Sequence, residues 1–110
     1  MKKQQNNYPN SVNIFSKIYK IEYTDKIGLV DPEDADSLFG HVDMRHNKIR
    51  VYCPPDRSRA DVWHTIIHEV VHVIADALSI DFKNDDEDRI IDIMALGISD
   101  FLFRNGLMNS

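Results

Sequence analysis

Thr65-Ile66-Ile67-His68-Glu69-Val70-Val71-His72-Val73-Ile74-Ala75-Asp76-Ala77-Leu78 is apolar at helical spacing and contains His-Glu-Val-Val-His, an H-E-x-x-H pattern. A helix turns about 100° per residue, so side chains four apart share a face. His68 and His72 thus offer two imidazoles to one metal ion, and Glu69, one step round the helix, can reach a water bound to that ion. Two nitrogen ligands and a carboxylate base are the working parts of zinc-dependent peptide hydrolysis.

The surrounding residues predict a helix over about 60–78. Trp63, Ile67, Val70, Ile74 and Leu78 form an apolar stripe, reinforced by Ile66, Val71, Val73 and Ala77. His64, His68 and His72 follow a different line, leaving packing on one side and chemistry on the other. Asp61 stands where it can cap the helix or favour its positive end. Trp63 reads as a core residue, and Arg57 and Arg59 as charges of a linker within reach of Asp85 to Asp88.

Upstream, Tyr19, Ile21 and Tyr23 alternate with Lys20, Glu22 and Thr24, as a half-buried strand over 18–24 requires. Residues 25–37 are acidic, and Asp31-Pro32-Glu33-Asp34 reads as a loop or a short helix start. Residues 39–44 and 49–52 alternate about a polar turn, Arg45 to Lys48, and predict an antiparallel hairpin with Val42 and Met44 in the layer of Ile49 and Val51. Pro54 and Pro55 end it, because proline has no N–H for a sheet ladder.

Downstream, a second helix is predicted over 85–103, opened by acidic residues and closed by Asn105-Gly106. Glu87, Ile91, Met94, Ile98 and Phe101 mark one line on it, and Asp88, Asp92, Ala95 and Ser99 a neighbouring one. Gly97 interrupts the helix at a cost of about 1 kcal/mol, which suits a close helix contact.

A chain of 110 residues fits one domain, and 43% hydrophobic content supplies a core. We read residues 1–13 as a flexible N-terminal tail and 14–106 as a single domain. With 13 basic against 18 acidic residues and no basic stripe, the charge balance argues against nucleic acid as a partner. The single cysteine, Cys53, suits a small core or edge position and excludes an internal disulfide, in keeping with a cytoplasmic protein. No run of 18 apolar residues occurs, and the polar start lacks the apolar core of a signal peptide, so no membrane association is expected.

A catalytic zinc site usually has three protein ligands and a water. The second helix offers Asp88, Asp92 and Glu87 for the third position. Asp88 is the first choice, and Asp92 suits a supporting role, holding a histidine through its other ring nitrogen. His64, His41 and Tyr52 are candidate donors to an oxyanion, while His46 belongs to an exposed turn.

Tyr19-x-Ile21-x-Tyr23, Phe39-Gly40-x-Val42-Asp43, Ile49-x-Val51, Arg59, Thr65-Ile66-Ile67-His68-Glu69-x-x-His72, Asp88-x-x-Ile91-x-x-Met94-Ala95-x-Gly97-Ile98 and Phe101-Leu102 resemble small phage-associated zincin-like proteins related to the ImmA/IrrE and SprT-like metallopeptidases. The resemblance implies a minimal α+β fold. A small antiparallel sheet would pack on the H-E-x-x-H helix, and a C-terminal helix would complete the metal site. It implies zinc on His68, His72 and Asp88, Glu69 as general base, and a peptide or protein substrate. The family places a glutamate where Asp88 aligns. A second reading keeps the fold without turnover, as an interaction module for a phage or host regulatory protein.

Overall fold

Alternating apolar residues build the sheet, α1 packs on one of its faces, and α2 packs on α1. The computed structural model describes residues 8–26, 29–30, 39–82 and 86–108. The elements are β1 (Ser11–Ile14), β2 (Lys17–Thr24), β3 (Gly40–Asp43), β4 (Lys48–Tyr52), α1 (Arg59–Ala77) and α2 (Glu87–Arg104). The architecture is α+β, with one sheet of order β1-β2-β4-β3. The reading of Asp31 to Asp34 falls outside the described residues.

β1–β2 and β3–β4 are antiparallel pairs, the second being the hairpin expected from its alternation. β2 and β4, however, run parallel, with Ile21 opposite Ile49 and Tyr23 opposite Val51. The sheet is therefore mixed, where an antiparallel one was expected. A period of two is the same in either direction. The chain between Thr24 and Lys48 exceeds the dozen or so residues that a parallel connection needs.

Of the expected tail, residues 1–7 lie outside the described residues, while residues 8–13 belong to the fold. Val12 pairs with Tyr19 in an edge strand, and Tyr8 is buried against Tyr23 and Trp63, with ring centroids 5.6 and 6.0 Å away. The Tyr23 hydroxyl donates to the Pro9 carbonyl at 2.6 Å. Arg59 lies over the Tyr8 ring at 5.0 Å. The segment is polar because it forms an edge, so few of its residues enter the core.

α1 starts at Ser58, whose hydroxyl accepts from the Asp61 N–H at 3.1 Å. Ser58, not Asp61, is thus the cap, and Asp61 contributes charge to the first turn. The helix is buried on two sides. Val62, Ile66 and Val73, with Trp63, Val70 and Ile74 half-buried, pack on Tyr19, Ile21, Ile49 and Val51 of the sheet. Ile67, Val71 and Ala75 pack on Ile91 and Ala95 of α2. The expected stripe merged these two faces, and its last members, Ala77 and Leu78, are exposed.

α2 touches the body through Ile91 of the first line and Ala95 and Ser99 of the second, whereas Met94, Ile98 and Phe101 face outward. The packed face therefore runs between the two lines, and its small side chains let the helices approach. The helix ends as predicted. Gly106 adopts φ +64°, with Leu107 N–H bonded to the Leu102 carbonyl and Gly106 N–H to that of Phe103. Met44 lies in the β3–β4 turn, exposed rather than in the layer of Ile49. Among the described residues no helix is long and apolar enough to cross a membrane.

If residues 8–14 are part of the fold, Tyr8→Ala should remove about 3 kcal/mol of stability, by analogy with other buried aromatic truncations. Urea unfolding measures this. A change below about 0.5 kcal/mol would restore the loose-tail description.

Candidate functional site

The inner face of α2 and the free face of α1 meet in a cleft of about 1240 Å³ whose wall includes Gly40, Thr65, His68, Glu69, His72 and Asp88. His68 and His72 stand one helical turn apart, ring centroids 4.8 Å from each other. Their Nε2 atoms are separated by 3.2 Å. Asp88 Oδ1 lies 2.8 Å from His72 Nε2 and 3.8 Å from His68 Nε2. Among the described residues, these three ligand atoms stand close enough together to share one metal ion.

The opposite ring nitrogens are engaged as well. His68 Nδ1 donates to Asp92 Oδ1 at 3.2 Å, and His72 Nδ1 to Glu87 Oε2 at 3.0 Å, because an ionised carboxylate only accepts. Each imidazole therefore keeps its proton on Nδ1 and turns the Nε2 lone pair inward. Two lone pairs and a carboxylate oxygen then converge on one point with no donor between them. A proton on one ring relieves one of these contacts, whereas a divalent cation satisfies all three. Ligands about 2.0–2.1 Å from a tetrahedral zinc stand roughly 3.3 Å apart, and the three observed separations bracket that value.

Of the three acidic candidates, α2 brings Asp88 into the ligand group and sets Asp92 and Glu87 behind the histidines. They fall within little more than one helical turn, so only the register of α2 on α1 separates them. His64 Nε2 also lies 3.2 Å from Asp92 Oδ1, which ties it to the same carboxylate. His41 and Tyr52 line the cleft. The Tyr52 ring stacks on Phe39, with centroids 5.8 Å apart. His46 is in the exposed turn, paired with Asp43 at 2.9 Å. Cys53 is buried in the core, where burial pushes its thiol up.

Glu69 is 5% exposed. Burial, and secondarily the Asp88 charge, push its carboxyl up to about 8. Burial and the neighbouring His72 hold His68 below the usual imidazole range, against the opposing pull of Asp92. Gly40 makes room for Glu69, since a Cβ there would lie 2.5 Å from Thr65 Cγ2 and 2.8 Å from Glu69 Oε2.

Arg57 is the cleft residue that sequence reasoning undervalued. Instead of reaching the acidic start of α2, it donates to the Tyr52 carbonyl and Thr65 Oγ1, both at 2.6 Å, and to the Asp61 carbonyl at 3.2 Å. Its guanidinium lies 4.7 Å from the Phe39 ring centroid. Burial lowers its pKa. It fastens the end of β4 to α1 beside the turn that carries Glu69. Proline in Cys53-Pro54-Pro55 announced a break in the strand, but no local pattern announced this tie.

Compared with known proteins, the chain matches no family model, no curated protein and no solved structure.

Two outcomes follow from the burial of Glu69. Gly40→Ala should cost about 1–3 kcal/mol in thermal or urea unfolding, as over-packed sites do, and a neutral result would contradict the close contact. In the metal-free protein, Glu69 keeps its proton up to about pH 8 when folded but ionises near 4.5 when unfolded. Its contribution to stability is thus whole below about pH 4.5 and lost as pH rises through about 8. With a chelator present, the melting-temperature difference between wild type and Glu69→Gln should shift steadily against wild type from about pH 5 to about pH 9. The full shift corresponds to a few kcal/mol at most. A difference independent of pH would contradict the buried, proton-bearing carboxyl.

Proposed function

We propose that this chain is a zinc-dependent metallopeptidase of zincin-like design, hydrolysing peptide bonds in a peptide or protein substrate. The observation that carries the reading is the convergence of His68 Nε2, His72 Nε2 and Asp88 Oδ1, with both Nδ1 atoms already committed to carboxylates. Imidazole nitrogen and carboxylate oxygen are donors that suit zinc, and three protein ligands leave a fourth position for water.

Zinc held there supplies a Lewis acid that lowers the pKa of water and polarises a carbonyl. The chain's own residues do the rest. Asp92 and Glu87 fix the tautomer and tilt of the two imidazoles. Glu69 takes the proton of the attacking water on its carboxylate and later returns it to the departing amine. The low-dielectric setting of Glu69 makes it a stronger base than an exposed carboxylate, and a dication at His68, His72 and Asp88 offsets the Asp88 charge and favours its ionised form. His64, which lines the cleft one turn before His68, is the candidate donor to an oxyanion.

Zinc content and cleavage of a peptide library test this together. Wild type should bind one zinc per chain and cleave. Glu69→Gln should keep the zinc and lose at least about a hundredfold in rate, in line with the removal of a general base. Stoichiometric zinc without cleavage in wild type would favour the interaction-module reading. Chains that hold no zinc would overturn both.

A further inference from the structure

Little apolar contact holds α2 to the rest of the chain. Among the described residues, only Ile91, Ala95 and Ser99 are buried on it, and Ile91 and Ala95 pack on Ile67, Val71 and Ala75 of α1. The larger core, between α1 and the sheet, includes no residue of α2 among those described. The helix is also weak in its own right. Its N-cap, Asp86, makes no side-chain capping bond among the described residues, and Gly97 stands in its interior. A Cβ at Gly97 would meet nothing within 4 Å there, so this glycine loosens the helix without admitting the close contact that its position suggested. The polar ties to α1 are weak too. The Asp88, Asp92 and Glu87 side chains are 87%, 56% and 47% exposed, and contacts so open to water contribute little.

We infer that zinc is what docks α2, and that in the metal-free chain this helix opens from α1 as a unit while α1 and the sheet stay folded. The inference rests on zinc binding at His68, His72 and Asp88, as proposed above. The ligand set is divided between the two helices, with both imidazoles on α1 and the carboxylate on α2. With α2 docked the chain offers three ligands, and with α2 undocked it offers two. A ligand shifts a conformational equilibrium by its difference in affinity for the two states, so zinc favours the docked one. Without the ion, docking brings the Asp88 carboxylate against two inward lone pairs, which opposes it. The cleft itself then depends on the metal, because α2 supplies Asp88, Arg89 and Asp92 to its wall. A chain short of zinc loses the shape of its site together with the Lewis acid.

Hydrogen exchange of the full chain, followed by mass spectrometry with a chelator and then with one equivalent of zinc, tests the proposal. With the chelator, amides of α2 should be protected at least about tenfold less than those of β2 and β4, as a separately opening unit is. Zinc should raise the protection of α2 at least about tenfold, by linkage to the docked state. In Asp88→Ala, an exposed position whose loss leaves the core intact, zinc should raise it less than about threefold, since the two remaining ligands lie on one helix. Protection of α2 equal to that of the sheet in the chelator would make the chain one cooperative unit and overturn the proposal. Zinc bound at one per chain without slower exchange in α2 would also overturn it, and would leave the peptidase reading standing. Equal protection by zinc in wild type and Asp88→Ala would overturn it through the ligand itself. A chain that binds no zinc would overturn both this proposal and the peptidase reading.

Discussion

Three electron-pair acceptors aimed at one another make up the constraint on which this structure turns. His68 Nε2, His72 Nε2 and Asp88 Oδ1 approach to between 2.8 and 3.8 Å. Neither ring can relieve the crowding by switching tautomer without giving up its bond to Asp92 or Glu87. Such an arrangement is repulsive by itself and becomes favourable with a cation at its centre. Because α1 supplies two of the atoms and α2 the third, the contact also fixes how the two helices lie.

The remaining architecture can be understood as what holds that meeting point. α1 is packed along one side on the sheet through Val62, Ile66 and Val73, and along another on α2 through Ile67, Val71 and Ala75. The side left over carries His64, His68 and His72. Ile91 and Ala95, fully buried, set the height of α2 so that Asp88 and Asp92 sit level with the two imidazoles. On the sheet side, β3 approaches α1 so closely that Gly40 is required, and Glu69 beside it is almost wholly buried. Arg57 then ties the strand end to the helix start from below. Enclosure of one acid and exposure of its neighbours separate their roles, since Asp88 is left exposed and Glu69 is not.

Much of the site was legible because it is local. Residues four apart on a helix must share a face, so His68 and His72 needed no tertiary information. The β3–β4 hairpin and the Gly106 stop were legible for the same reason. What depended on long-range packing was not. Parallel and antiparallel strands carry the same alternation, so β2 beside β4 could not be foreseen. Ser11–Ile14 contributes mainly Ile14 to the core, too little apolar content to read as a strand. On α2 the packed face takes Ile91 from one line and Ala95 and Ser99 from the other, so neither line alone marked it. Asp88, Asp92 and Glu87 were all visible as acids of the right helix, but their division between the meeting point and its support is a matter of register between two helices.

The central claim concerns the identity of three ligand atoms, and X-ray absorption at the zinc edge of the loaded protein addresses those atoms directly. The account predicts two imidazole nitrogens and carboxylate or water oxygens at about 2.0–2.1 Å, with one imidazole signal lost in each of His68→Ala and His72→Ala. A sulfur shell at about 2.3 Å from Cys53, or a spectrum without imidazole scattering, would contradict it.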